Sequence, residues 1–198
     1  MVEVKRLGHA SFRIDGSKTI YIDPWKLSNP VKADIILISH SHFDHFSKED
    51  VNKIKKDDTV IIAARDAAKE FEVAKELVPG QKIEIGKIVV EAVPAYNIGK
   101  EFHKKESGWL GFIINIDGKR IYYAGDTDCT PEMEKIKSID IALMPVSGTY
   151  LMTAEEAAKA VKKINPKKAI PYHYGDVVGT LDDAVRFKEL CSCDVEIQ

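Results

Sequence analysis

At 198 residues, with 44% hydrophobic and 30% charged side chains, the chain has the length and composition of one globular domain spanning residues 1–198. Lys and Arg number 29 against 31 Asp and Glu, and the resulting charge of −2 excludes a nucleic-acid binder that relies on a broad basic face. No apolar run approaches the ~20 residues of a membrane span, the N-terminus lacks a signal pattern, and the odd set Cys129, Cys191 and Cys193 makes a poor disulfide framework, so a reduced, cytoplasmic chain is expected.

Residues 2–14 and 19–22 are β-rich and flank Asp15-Gly16-Ser17, which predicts a hairpin. Asp23-Pro24-Trp25 ends it, because proline has no N–H to offer a central strand. Ile35-Ile36-Leu37-Ile38 is short, wholly apolar and reads as a buried strand. Ser47 caps a helix to about residue 56. Residues 59–63 read as a strand, and the Ala/Glu/Lys-rich stretch 64–77 as a helix stopped by Pro79-Gly80. Strands follow at 82–85 and 87–94. Residues 97–108 are polar, carry two glycines and form the best candidate for a mobile active-site loop. Asp117-Gly118 joins strands 110–116 and 120–124 through the strongest turn signal in the chain. Thr130-Pro131 opens a short helix, and 140–146 is a strand. Thr153 and Glu156 form a capping box for a helix to about 164. A strand at 168–172, a helix at 181–190 and a short strand at 194–197 complete the chain. Hairpins first, then alternating helix and strand, predict a mixed α/β layered domain.

The chemistry concentrates in Ser39-His40-Ser41-His42-Phe43-Asp44-His45, which holds three of the six histidines. On extended backbone alternate side chains point the same way, so His40 and His42 can reach one ion. Asp44 and His45 are adjacent, point apart, and can address a second ion a few ångströms away. Imidazole and carboxylate together suit zinc, iron or manganese better than calcium or magnesium.

His40-Ser41-His42-Phe43-Asp44-His45 resembles the His-x-His-x-Asp-His signature of the metallo-β-lactamase-fold hydrolases. Leu7 to Phe12, Ile22-Asp23-Pro24-Trp25, Ala124-Gly125-Asp126-Thr127 and Pro171-Tyr172-His173-Tyr174 extend the likeness over nearly the whole chain. They resemble the branch that contains L-ascorbate-6-phosphate lactonase. The resemblance implies an αββα sandwich of two mixed sheets flanked by helices. It also implies a site for two divalent metal ions, zinc first, with manganese or iron as alternatives.

By the same resemblance Asp126 bridges the two ions and His173 is the last ligand of the second. On spacing alone, Asp126 is as well explained by loop capping, and His173 by a structural histidine. The chain departs from the family where a histidine is expected after the strand that ends near residue 95. Asn97 stands there, and His103 lies six residues on. Either the loop delivers His103 to the first ion beside His40 and His42, or His103 binds substrate. Asp23 suits a partner for the free N–H of a metal-bound histidine. His9 is a candidate contact to substrate or metal.

The resemblance implies a metal-dependent hydrolase in which Asp126 bridges the ions and Asp44 orients the nucleophile. The expected substrate is a small ester, lactone or phosphoester, in a cleft that a neighbouring subunit of a homo-oligomer completes. A non-hydrolytic redox or structural metalloprotein on the same fold is the alternative. Flavodiiron proteins of that kind typically carry Glu where this chain has His42.

Overall fold

The structure is a computed structural model that describes residues 1–198. Six strands form the first sheet in sequence order: β1 (Glu3–Gly8), β2 (Ser11–Asp15), β3 (Thr19–Ile22), β4 (Ile35–Ile38), β5 (Val60–Ala63) and β6 (Lys75–Glu76). β1 to β3 are antiparallel and β3 to β6 parallel. The second sheet holds β7 (Lys82–Ile85), β8 (Ile88–Pro94), β9 (Leu110–Ile116), β10 (Lys119–Tyr123), β11 (Ile141–Pro145), β12 (Lys168–Tyr172) and β13 (Asp194–Val195). It too is mixed, antiparallel through β10 and parallel from β10 to β13.

The two sheets pack face to face. Phe12, Ile14, Ile22 and Leu37 meet Phe112, Ile114, Tyr123 and Ile170 in one buried cluster. The outer face of the first sheet is covered by α1 (Lys48–Ile54) and α2 (Arg65–Ala68), and that of the second by α3 (Ala154–Ile164) and α4 (Leu181–Leu190). This layering explains the unbroken apolar run of β4. Ile35 and Leu37 point between the sheets while Ile36 and Ile38 point at the helices, so neither face can be polar. Two mixed sheets flanked by helices are the αββα arrangement that the family resemblance implied, and they sharpen the mixed α/β layering predicted from the sequence pattern.

Local signals act as expected at several ends. Ser47 accepts the Asp50 N–H at 3.1 Å. Thr153 and Glu156 cap α3 reciprocally at 3.2 and 2.9 Å. Asp117 and Gly118 both take positive φ, 47° and 75°, as a two-residue hairpin turn requires.

The expected helix over 64–77 is a correction. Only Arg65–Ala68 is helical, and the chain then turns to lay Lys75–Glu76 beside β5. Leu77 is buried in the inter-sheet core, and its N–H reaches Ala63 O at 3.0 Å. A continuous helix would place Leu77 far from that core, so burial overrides the local helix preference.

Candidate metal centre

Strand ends converge at one edge of the sandwich. His40 follows β4, Asp126 follows β10, and His173 follows β12. Asp23 follows β3, and His9 lies between β1 and β2. The edge is tied across the two sheets by Leu110 N donating to Ser39 O at 3.1 Å and His173 N donating to His9 O at 3.0 Å. His9, Asp23, His103 and His173 all take positive φ, at 30°, 47°, 53° and 66°. Such conformations cost free energy in non-glycine residues and concentrate where side chains must be aimed.

Asp126 is the hub. Its Oδ1 lies 3.1 Å from His45 Nε2. Its Oδ2 lies 3.3 Å from His103 Nε2, 3.3 Å from His173 Nε2 and 3.9 Å from His40 Nε2. Ligand atoms of His40, His42, His103 and Asp126 all fall within 4.8 Å of one another, as do those of His45, Asp126 and His173. Asp44 Oδ2 sits 3.6 Å from His173 Nε2. Gly125 makes the turn that aims Asp126: its φ is 71°, and a Cβ there would lie 2.5 Å from Leu110 O.

Hydrogen bonds leave the same ring nitrogen free on several of these histidines. Asp23 is fully buried. Its Oδ2 accepts from His45 Nδ1 at 2.7 Å, Tyr123 Oη at 2.6 Å and Ser39 Oγ at 2.5 Å, and its Oδ1 from Ser39 N at 2.7 Å. The Ser39 hydroxyl proton is thereby committed to Asp23, so Ser39 Oγ must accept from His40 Nδ1 at 2.8 Å. His103 Nδ1 faces Tyr150 O at 3.0 Å, and a carbonyl can only accept. In His40, His45 and His103 the proton therefore resides on Nδ1 and the Nε2 lone pair points inward.

Buried Nε2 atoms of His40, His45 and His173, and buried Oδ1 of Asp126, have no hydrogen-bond partner. Unpartnered buried polar atoms are rare and costly. Cations held on the two sides of Asp126 would satisfy all four, and the donor set fits divalent ions of the zinc, iron or manganese type.

The local electrostatics match. Burial, and after it the charge of His45, holds the His40 imidazole well below the usual histidine range. Burial likewise lowers His42, with His103 adding to it. Burial alone would raise Asp126, but His173 and His45 outweigh it and hold the carboxyl well below its ordinary range. Asp44 is lowered against burial, chiefly by the bond from His9. Neutral imidazoles and ionised carboxylates are the forms that bind metal. His45 is the exception. Burial opposes its charge, yet Asp126 and then Asp23 raise it well above the ordinary value, so a cation bound there would take the place of a proton.

A model of the β-lactamase superfamily domain matches residues 3–173. A UPF0173 metal-dependent hydrolase from Thermococcus onnurineus is 35% identical, with 100% of this chain and 95% of the relative covered. Another, from Thermoplasma acidophilum, is 37% identical over 92% of this chain and 88% of its own length. The chain belongs to the UPF0173 metal-dependent hydrolases of the β-lactamase superfamily. A crystal structure from Parabacteroides distasonis superposes with a TM-score of 0.91 at 35% identity, covering all of this chain and 92% of that one.

Within this hydrolase the sequence-predicted residues take four places. His40, His42, His103 and Asp126 gather on one side, and His45, Asp126, His173 and Asp44 on the other. His9 and Asp23 are buried behind them, where His9 Nε2 donates to Asp44 Oδ2 at 3.1 Å. Asn97 contributes no atom to either group, and its Nδ2 lies 3.2 Å from His103 Nδ1, behind that ring. Its N–H donates to His103 O at 2.7 Å, and its Nδ2 donates to Phe102 O at 3.1 Å and Tyr150 O at 2.5 Å. It closes the loop that presents His103. The same loop is fastened by Lys100 to Asp128 at 2.6 Å and by Lys105 to Glu132 at 2.9 Å.

Trp109 escaped sequence reasoning. Its ring centroid lies 4.6 Å from those of both His40 and His42 and 5.3 Å from that of His103. Its Nε1–H donates to Asp66 Oδ2 at 2.8 Å, and Ser41 Oγ donates to the same oxygen at 2.7 Å. Its position directly after the 97–108 loop, in a chain with two tryptophans, is the only signal the sequence carries. Tyr123 escaped too, because its partner Asp23 is 100 positions away.

Proposed function

We propose that the chain is a dinuclear metal-dependent hydrolase of a small ester, lactone or phosphoester. His40, His42 and His103 would hold one ion, and Asp44, His45 and His173 the other. Asp126 would be shared between them. The carrying observation is Asp126 itself, whose carboxylate reaches imidazoles of both groups while its Oδ1 has no hydrogen-bond partner. Zinc is the first choice for this thiolate-free set, with manganese and iron next. Bound there, two divalent ions would activate water near neutrality and polarise the scissile carbonyl or phosphoryl group.

The chain's own residues supply position. Asp23, through His45 directly and through Ser39 to His40, sets the protonated ring nitrogen in both halves of the site. His9 steers Asp44, which lines the cavity and can orient the nucleophile. Tyr123 keeps its proton as a donor to Asp23, because burial and then the Asp23 charge push it well above the usual tyrosine range.

The test is metal content and turnover of His42→Ala and Asp126→Ala. Both variants should lose bound metal and hydrolysis together with little change in fold. Full turnover by either variant in a metal-free preparation would refute the reading.

A further inference from the structure

A cavity of about 380 Å³ opens directly onto the inward-facing atoms of His42, Asp44, His103, Asp126 and His173. Everything else that lines it is apolar or aromatic: Phe43, Phe102, Tyr150, Val177 and Val178. Phe43 is 65% exposed and Phe102 54% exposed, unusual for large apolar side chains beside so polar a floor. They are held in place. The Phe102 and Tyr150 rings meet edge to face at 4.8 Å, and Phe43 meets Trp25 edge to face at 6.1 Å. The four elements that supply the rim are separate in sequence, so the apolar character does not come from one stretch.

No lysine or arginine lines this cavity. Lys26 is engaged with Asp176 at 3.1 Å. The lysine-rich hollow beside residues 96–106 is a different one, and its Lys100 and Lys105 already pair with Asp128 and Glu132. Cations at the floor would serve the reacting centre. A phosphate or carboxylate carried elsewhere on a substrate would meet rings, methyls and the Tyr150 hydroxyl, with no cationic side chain to pair with it.

We infer that this rim is the binding subsite for the uncharged apolar acyl chain of a carboxylic ester. The inference rests on the hydrolase reading and narrows its substrate class, away from phosphorylated sugar acids. In the reaction water adds across the acyl–oxygen bond. Its oxygen bonds to the acyl carbon, the ester C–O bond breaks, the alkoxide oxygen takes one proton, and the carboxylic acid releases the other to solvent. Apolar burial on the rim contributes about fourfold per methylene until the cavity is filled.

The experiment uses the full chain loaded with zinc and 4-nitrophenyl esters from acetate to hexanoate, with 4-nitrophenyl phosphate as the charged comparison. In parallel, binding of acetate, butanoate and hexanoate ions is followed by calorimetry, which needs no turnover. Both kcat/KM and carboxylate affinity should climb about fourfold per methylene. Phe102→Ala and Val177→Asn should each cut the hexanoate-to-acetate ratio several-fold in both measurements. Turnover with flat series, or with the phosphate preferred, overturns the subsite and leaves the hydrolase reading standing. Graded carboxylate binding without turnover of any ester or of the phosphate keeps the apolar subsite and overturns the carboxylic ester as its substrate. Flat binding together with a concentration-dependent dimer that Phe102→Ala dissolves assigns the rim to a second copy of this chain, and overturns the inference.

Discussion

Asp23→Asn is the sharpest perturbation of the site that touches no inward-facing ligand atom. The native carboxylate is fully buried and accepts four hydrogen bonds, three of them on Oδ2. Asparagine offers one acceptor oxygen and one NH2. With the oxygen in the Oδ2 position, its NH2 faces the Ser39 N–H, and that buried donor is left without a partner. Leaving one buried donor unsatisfied costs about 1–3 kcal/mol, and the bonds that remain lose their charge assistance. A net loss of about 2–3 kcal/mol is expected, which for a chain of this size lowers Tm by about 5–10 °C. The metal effect is separate. His45 and His40 lose the partner that orients them, so affinity should fall about 10–100-fold. Thermal unfolding of the metal-free protein measures the first quantity. Competition with a chelator at fixed pH measures the second. A variant with unchanged Tm and metal affinity within about threefold of the parent would refute the positioning role of Asp23.

Trp109→Phe keeps a ring against His40, His42 and His103 but removes the 2.8 Å bond to Asp66. It should cost about 1–2 kcal/mol of stability and about tenfold in affinity for the first ion, read by unfolding and by chelator competition. The 97–108 loop should loosen in acid. Lys105, and against burial Tyr96, hold the Glu132 carboxyl down to about 2, below an ordinary 4.5. A depressed folded-state pKa gives stability that is complete above the unfolded value and disappears as pH falls from about 4.5 toward about 2. Because Lys105 is largely solvent-facing, the contribution is at most about 1 kcal/mol. The Tm gap between the parent and Glu132→Gln should therefore be about 2–4 °C near neutrality and close as pH drops through that window. A gap that is constant with pH would show that the ion pair does not fasten the loop.

What the sequence displays and what it conceals divide along a physical line. Metal ligation restricts residue type and spacing so tightly that His40, His42, Asp44 and His45 stand out from 198 positions unaided. Asp126 and His173 carry no such pattern alone, and only the likeness to a family singled them out. His103 was reachable because a histidine was missing at 97, and the structure places its Nε2 3.3 Å from Asp126, with Asn97 folding the loop back by binding His103 O, Phe102 O and Tyr150 O. The residues that hold the ligands are different in kind. Ser39, Asp66, Trp109 and Tyr123 are ordinary types, and they matter only through contacts made after β4, β9 and β10 meet across the sandwich. The helix expected over 64–77 fails for the same reason. Its Ala/Glu/Lys composition is a local preference, whereas the place of Leu77 between the sheets is decided by the whole fold. A ligand can be read from its own chemistry, but a support can be read only from its partner. The positive φ values of His9, Asp23, His103 and His173 lie between the two: the strain is local, and it falls where the fold brings distant side chains together, His103 and His173 at Asp126, His9 at Asp44 and Asp23 at His45.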